Sequence, residues 1–467
     1  MLRASLVVLL VLLAPRLGAA QDPDIRSRLR EVVVAADLGD RIGIHVVDLR
    51  TGREIFSQRK DLALNPASNM KLVTAALALE RLGPTFRMRT GLYGRVERGR
   101  VDPLVVRGYG DPSLQHSDLV QLGEALRDRG VRRVGRVIVD GSYFDDQFLP
   151  PAFEQQPNEI AAFRAAISAF AVERSAFVLR VLPGSAVGRP ARVRLMAPDY
   201  FALDSELETV DGGEPDVIAV QRGDGDQMSL RLRGRVPLGI LGISYRRRVE
   251  NPVSYAGHAL RHALTRAEIQ VGALATTGAP SGLPLLTSRQ SPPVAELIFA
   301  LGKNSDNFTA EMLLKVVGAE VSRPGSSAEG AAAATAYLRE LGVPEGFTIV
   351  NGSGLFDGNQ IAASHLTRLL QHMYENEGLR PEYLAHLAIA GRDGTLRRRL
   401  RDLPAPGIVR AKTGTLNDVI ALSGYVLGPD DDHAYAFSIL CNGIRGKQGQ
   451  ARRLADDLVR QLANELH

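Results

Sequence analysis

Pro66-Ala67-Ser68-Asn69-Met70-Lys71 opens an apolar-periodic run, with Leu72, Ala75, Ala76, Leu79 and Leu82 on one side. The spacing predicts a helix, and Gly83-Pro84 stops it. Ser68 and Lys71 stand three residues apart and so share a helix face, which brings the Lys71 nitrogen within reach of the Ser68 hydroxyl. The helix N-terminus adds partial positive potential where an anion would develop. Only six of the 57 basic residues are lysines. Arginine stays protonated at ordinary pH and cannot act as a base, whereas lysine can once burial or nearby positive charge lowers its pKa. A second such lysine is Lys412, in Lys412-Thr413-Gly414-Thr415, and Ser305-Asp306-Asn307 lies between the two in sequence.

Outward from this stretch, Ile25–Ala36 reads as an amphipathic helix, and residues 41–47 with Glu54–Gln58 as two strands about a Thr51-Gly52 turn. From about residue 86 to 286 the texture changes to short apolar or alternating stretches, at 137–139, 178–182, 193–196, 217–220 and 228–233, separated by Gly, Asp and Pro turns. Helical character returns near 293–303 and continues after Asn307. Residues 420–427 and 434–441 read as a hairpin pair around 428–432, and Gln448–Leu466 as a closing helix. The order predicts an α+β fold. An antiparallel sheet is flanked by helices, the terminal helices on one face and the Ser68 helix on the other, and a long strand-rich insertion interrupts it. The expected division is a leader at 1–20, a discontinuous catalytic domain at 21–85 and 288–467, and one or two inserted domains at 86–287.

Met1-Leu2-Arg3, an apolar run and Gly18-Ala19-Ala20 read as a secretory signal peptide cut after Ala20; an uncleaved anchor is the competing reading. The expected location is therefore exported and periplasmic, without a stable membrane anchor. Cys441 is the only cysteine, so stability rests on core burial rather than disulfides. A net charge of +5 and a pI of about 9.4 suit an anionic cell-wall polymer, and arginine spread over solvated faces explains them equally well. No basic stripe with interleaved aromatics is present, and there is no Trp, which argues against nucleic-acid binding.

Each motif alone has an ordinary structural use. Ser57-Gln58-Arg59-Lys60 repeats the S-x-x-K spacing, but no helix follows it directly. Ser68 also suits a helix cap, and Ser305-Asp306-Asn307 a turn. All three elements in this order and these contexts point to an active-serine site. His258 and His262 are spaced i, i+4, but no glutamate stands between them as a metalloprotease pair requires, so no metal and no cofactor are expected. Gly108-x-Gly110 runs into Asp111-Pro112 and does not open a dinucleotide-binding helix. Gly223-Asp224-Gly225-Asp226 reads as a hairpin turn.

The trio S-x-x-K, S-D-N and K-T-G is the signature of class A β-lactamases and penicillin-binding proteins. Together with Gly108-Tyr109-Gly110-Asp111-Pro112, Asn351-Gly352-Ser353-Gly354-Leu355, Gly391-Arg392-Asp393-Gly394-Thr395-Leu396 and the long insertion, it makes nearly the whole chain past the leader resemble the D-alanyl-D-alanine carboxypeptidase/endopeptidase family typified by penicillin-binding protein 4. The resemblance implies a β-lactamase/transpeptidase-like catalytic fold, peptidoglycan peptides as substrates and β-lactam antibiotics as ligands. Ser68 is then the nucleophile and Lys71 its base, with Lys412 lowering the pKa of Lys71 by repulsion. Ser305 relays a proton to the leaving amine, and Asn307 bonds both substrate and Lys71. Lys412 and Thr413 hold the substrate carboxylate, and Gly414 lets the strand approach the ligand. The N–H groups of Ser68 and Thr415 form the oxyanion hole. Asn417 and Leu355 complete the expected substrate contacts, although Asn417 is equally a turn residue.

Two departures bear on substrate preference. Phe356-Asp357 stands where a serine and an arginine are usual, and Asn351 where an aspartate is usual. A β-lactamase is the rival enzyme; the path of over two hundred residues from Lys71 to Ser305 argues against that compact fold. The same residues also admit a non-catalytic cell-wall binding protein, or an esterase or amidase of the same superfamily.

Overall fold

The computed structural model describes residues 24–430 and 433–467. The expected leader lies outside them, as do Asp431 and Asp432 of the expected turn. The site is built by helix α1 (Ile25–Ala36), strands β1 (Ile42–Asp48) and β2 (Glu54–Gln58), helices α2 (Met70–Leu82), α3 (Val294–Asn304), α4 (Asn307–Val321) and α5 (Ala363–Glu375), strands β3 (Ala388–Ile389), β4 (Val409–Leu416), β5 (Val419–Leu427) and β6 (Ala434–Asn442), and helix α6 (Gln448–Leu466). The strands form one sheet in the order β3-β4-β5-β6-β1-β2, antiparallel at every pairing. The first and last strands of the sequence thus meet in the middle, at Ile44 opposite Ile439.

The two faces follow from period-two alternation along buried strands. On β6, Tyr435, Phe437, Ile439 and Cys441 pack with Leu29 and Val33 of α1 and with Leu454, Leu458 and Leu462 of α6. Ala434, Ala436 and Leu440 pack on the other side with Met70 and Val73 of α2, Leu313 of α4 and Leu366 of α5. The terminal helices therefore cover one face and the Ser68 helix the other, as the sequence predicts. On this face α5 lies directly on β1, β5 and β6, the Ala67–Asn69 turn lies on β4 and β5, and α2 packs on α3 and α4. Cys441 is fully buried, which pushes its thiol up to about 12.

Between residues 89 and 290 the strands belong to three other sheets. The largest is mixed: Arg133–Asp140 pairs in parallel with Leu104–Gly108 and with Gln270–Ala275, and Leu285–Gln290 pairs antiparallel with Arg89–Tyr93. The stretch expected as a strand at 193–196 is shorter, Arg192–Arg194, because left-handed Ala197 turns the chain into Pro198–Tyr200. This region also holds two helices that the strand-rich reading omitted, His116–Asp128 and Pro252–Arg266. Their signal was present, with Leu119, Leu122 and Leu126 at helical spacing and buried. Gly225-Asp226 turns the hairpin between Asp216–Asp224 and Gln227–Pro237. Part of the region does not stay apart: Tyr143, Phe144, Ile167 and Ala169 pack into the same core as α2 and α4.

Candidate active site

The Ser68 turn is clamped before the helix begins. Asn65 Oδ1 accepts from the Ala67 N–H at 2.8 Å, and Asn442 at the end of β6 brackets the Asn65 backbone with bonds of 2.8 and 3.0 Å. Ala67 is held in the left-handed region at φ 45°, and Ala67–Asn69 forms one 3-10 turn before α2 starts at Met70. Ser68 therefore precedes the α-helix, where the sequence placed it within the first α-turn. The amide of Asn69, oriented so that its nitrogen donates to the Lys412 carbonyl at 2.8 Å, accepts from Ser423 and ties this turn to β4 and β5.

Lys71 is fully buried, and its Nζ meets Ser68 Oγ at 3.0 Å, Asn307 Oδ1 at 2.7 Å and the Ser353 carbonyl at 2.6 Å. Lys412, also fully buried, donates to Ser305 Oγ at 2.8 Å and to the Thr413 carbonyl at 2.7 Å. Ser305 reaches this place because it ends α3 in the left-handed region, φ 57°, while Asp306 caps α4 by accepting from the Thr309 N–H at 2.8 Å. One N–H of the Asn307 amide donates to the Phe163 carbonyl at 3.1 Å. Ser68, Ser305, Asn307, Leu355, Thr415 and Asn417 line one cleft of about 540 Å³, with Gln155, Phe163, Asp357 and Asp418 among the rest of its wall. Thr413 points its hydroxyl to that of Thr395 at 2.8 Å. The ten residues chosen from sequence thus gather at one place.

Burial lowers the Lys71 pKa to about 7, and the charges of Glu311 and Asp306 keep it from falling further. Burial also pushes Lys412 well below its ordinary value, and repulsion from Lys71 adds to this. Desolvation is the main influence on Lys71, and the repulsion between Lys71 and Lys412 acts on both lysines alike.

Gly414 has a close neighbour within the fold as well. A Cβ there would lie 2.9 Å from the Pro66 carbonyl and 3.0 Å from the Ala67 Cβ. The bare backbone lets β4 lie against the Ser68 turn. The second S-x-x-K match is inert for a plain reason: Glu54 accepts from Ser57 Oγ at 2.6 Å and from Lys60 Nζ at 2.7 Å, which holds its own carboxyl down at about 2. His258 faces Arg261 at 3.1 Å, and His262 meets His116 at 2.9 Å.

With this geometry established, residues 25–464 match the D-Ala-D-Ala carboxypeptidase 3 (S13) family. The chain belongs to that family. It is 34% identical over 428 residues to the D-alanyl-D-alanine carboxypeptidase of Actinomadura sp. (strain R39), covering 86% of this chain and 78% of that protein. It is 25% identical over 447 residues to a D-alanyl-D-alanine carboxypeptidase of Haemophilus influenzae, covering 92% and 91%. In fold it is similar to penicillin binding protein 4 of Haemophilus influenzae, with a TM-score of 0.78 at 23% identity, covering 95% of this chain and 99% of that one. A predatory peptidoglycan endopeptidase of Bdellovibrio bacteriovorus shares the fold at a TM-score of 0.54 and 16% identity, covering 91% and 92%.

Within this S13 chain, tertiary structure adds residues that no motif named. Glu311 binds the backbone of Gly352 and Ser353, Asn65 fixes the Ser68 turn, and Arg174 pairs with Asp306 at 3.1 Å. Asn351, fully buried, uses its amide as a donor to the carbonyls of Pro151 at 3.0 Å and Leu355 at 3.2 Å, contacts an aspartate could not make. Gly354 is required twice over: its φ is +72°, and a Cβ would fall 1.8 Å from the Ala67 carbonyl oxygen. Gly354→Ala is expected to lower unfolding free energy by roughly 1–3 kcal/mol in chemical denaturation. It should also reduce hydrolysis of a D-Ala-D-Ala peptide by more than the loss of folded protein. Unchanged midpoint and rate would contradict this reading of the turn.

Proposed function

We propose that this chain is an exported serine DD-peptidase that removes the terminal D-alanine from peptidoglycan peptides through an acyl-enzyme on Ser68, and that β-lactams acylate the same serine. The observation that carries the reading is a fully buried lysine, poised to lose its proton near neutrality, 3.0 Å from the hydroxyl of a half-buried serine at the cleft wall. Lys71 takes the Ser68 proton as Oγ bonds to the carbonyl carbon of the penultimate D-alanine. The N–H groups of Ser68 and Thr415 receive the developing oxyanion. Ser305, bonded to Lys412, passes a proton to the leaving amine, the C–N bond breaks and D-alanine departs. Water then adds to the ester and Ser68 is restored. Lys412 and Thr413 hold the substrate carboxylate, while Leu355 and Asn417 touch the peptide. A cross-link has the same D-Ala peptide bond, so endopeptidase cleavage is chemically the same step.

A β-lactamase is not favoured. Glu311, the buried carboxylate nearest in effect to Lys71, is bonded to two backbone N–H groups and does not line the cleft. Export rests on the sequence of residues 1–20. Among the described residues no helix is long and apolar enough to cross a membrane.

The base role carries a sign. An ammonium has no lone pair, so the neutral fraction of Lys71 sets the rate. The kcat/KM for D-alanine release is expected to rise about tenfold per pH unit below about 7 and to level above it. A rate that falls with pH across this range would contradict the base assignment. The cleft wall adds a preference: among the described residues it bears Asp357 and Asp418 but no lysine, arginine or histidine. Peptides whose residue before D-Ala-D-Ala ends in a free ammonium should exceed their amine-acetylated forms by roughly fivefold, an interaction of about 1 kcal/mol. Asp357→Lys should abolish that ratio; a ratio unchanged by the variant would remove Asp357 from specificity.

A further inference from the structure

Three residues of α4, Asn307, Glu311 and Lys315, recur every fourth position and so share one face. Asn307 meets Lys71 directly. Glu311 does not, yet it is fully buried one turn below. Its Oε1 accepts from the Ser353 N–H at 2.8 Å and its Oε2 from the Gly352 N–H at 3.1 Å. The carbonyls of the same two residues point the opposite way, toward α2. Gly352 accepts from Thr74 Oγ1 at 2.7 Å, and Ser353 accepts from Lys71 Nζ at 2.6 Å. The Gly352-Ser353 backbone is thus gripped between a carboxylate on one side and the base-bearing helix on the other.

The consequence lies in the valence of the amine. A neutral lysine has two N–H donors and one lone pair. Asn307 Oδ1 and the Ser353 carbonyl can only accept, so they take both hydrogens. The lone pair is left facing the third partner, the Ser68 hydroxyl. Without the Ser353 carbonyl at its place, one N–H is released and the lone pair loses its fixed direction.

We propose that Glu311 is a positioning residue for the base: by holding the Gly352 and Ser353 N–H groups it fixes the carbonyl that aims the Lys71 lone pair at Ser68. This rests on the serine-peptidase reading above. Nothing about Glu311 requires it to touch substrate. Its charge has a second effect, since it is the first of the anions that hold up the proton affinity of Lys71, ahead of Asp306. The charged groups around the pair are Lys71 on α2, Asp306 and Lys315 at the two ends of the α4 stripe, and Lys412 on β4. Burial raises the pKa of Glu311, while its bonds to Gly352 and Ser353 and the charge of Lys71 oppose that rise. The two effects, direction and charge, make separable predictions.

The test compares the full natural chain with Glu311→Gln and Glu311→Asp. The readouts are the second-order rate of acylation by benzylpenicillin from pH 5.5 to 9, kcat and KM for D-alanine release from a D-Ala-D-Ala peptide, and circular dichroism. Glutamine keeps the volume but offers one acceptor oxygen and no charge. At pH 8.5 it is expected to lose at least tenfold in acylation with little change in KM. Its rising limb should move to lower pH, so that its rate relative to the natural chain is several-fold higher at pH 5.5 than at pH 8.5. Aspartate keeps the charge but shortens the reach, so it should slow acylation while leaving the limb near its natural position. If the glutamine variant fails to fold, the aspartate variant carries the test of positioning alone, and a natural acylation rate in it overturns the proposal. A glutamine variant that acylates at the natural rate at pH 8.5, or whose loss falls in KM with kcat and acylation unchanged, overturns it too. A natural chain that neither reacts with benzylpenicillin nor releases D-alanine overturns the serine-peptidase reading, and the proposal with it.

Discussion

Two lysines buried side by side under a cleft are the constraint around which this molecule is arranged. Neither Lys71 nor Lys412 has measurable exposure. An isolated ammonium taken out of water costs several kcal/mol, so such groups are driven toward their neutral form unless partners hold the proton. Lys71 has Glu311 and Asp306 to oppose that drive, which leaves it near 7 instead of far below. Lys412 has only hydroxyl and carbonyl partners and is pushed further. A carboxylate arriving beside Lys412 would supply the missing counter-charge. In the proposed mechanism, the same desolvation suits one lysine to act as a base and the other to receive an anion.

The fold keeps these groups dry and in register from several directions. Helix α2 carries Lys71 and packs on α3 and α4, and β4 brings Lys412 alongside through the Asn69 bridge. The α3–α4 junction supplies Ser305 and Asn307 by a single left-handed residue. The region between residues 89 and 290 takes part as well. The Phe163 carbonyl holds the Asn307 amide, Arg174 holds Asp306, and fully buried Arg164 ties that wall together by donating to the Phe153 carbonyl at 2.7 Å. The insertion therefore forms one wall of the cleft instead of standing beside it. Aromatic contact between Phe153 and Phe356, with ring centroids 5.7 Å apart, joins it to the Gly352–Asp357 loop.

What could be read from the sequence was what is local. Ser68 with Lys71, the left-over lysine at 412 and the S-D-N turn are short motifs whose chemistry depends on residue type and spacing. The alternation in 434–441 and the helical period in Gln448–Leu466 are likewise local. What could not be read depends on chain segments far apart. Glu311 looks like any glutamate in an apolar helix until the 352–353 loop is seen against it. That Gly414 also lies against the Pro66-Ala67 backbone could not be read, because those residues are more than three hundred positions away in sequence. The carboxylates that oppose the desolvation of Lys71 come from other elements and were equally out of sight. The decoy at Ser57 and Lys60 was separable in sequence only by its setting in a strand, and the structure supplies the chemical reason in Glu54.

The central claim is that Ser68 is a nucleophile activated in this buried setting. Intact-protein mass after incubation with benzylpenicillin, for the natural chain and for Ser68→Ala, tests it most directly. The account predicts a stable increase of one penicillin mass on the natural chain, mapped to the peptide containing Ser68, and none on the variant. An adduct that persists in Ser68→Ala, or a natural chain that gains no adduct and consumes no penicillin, would contradict it.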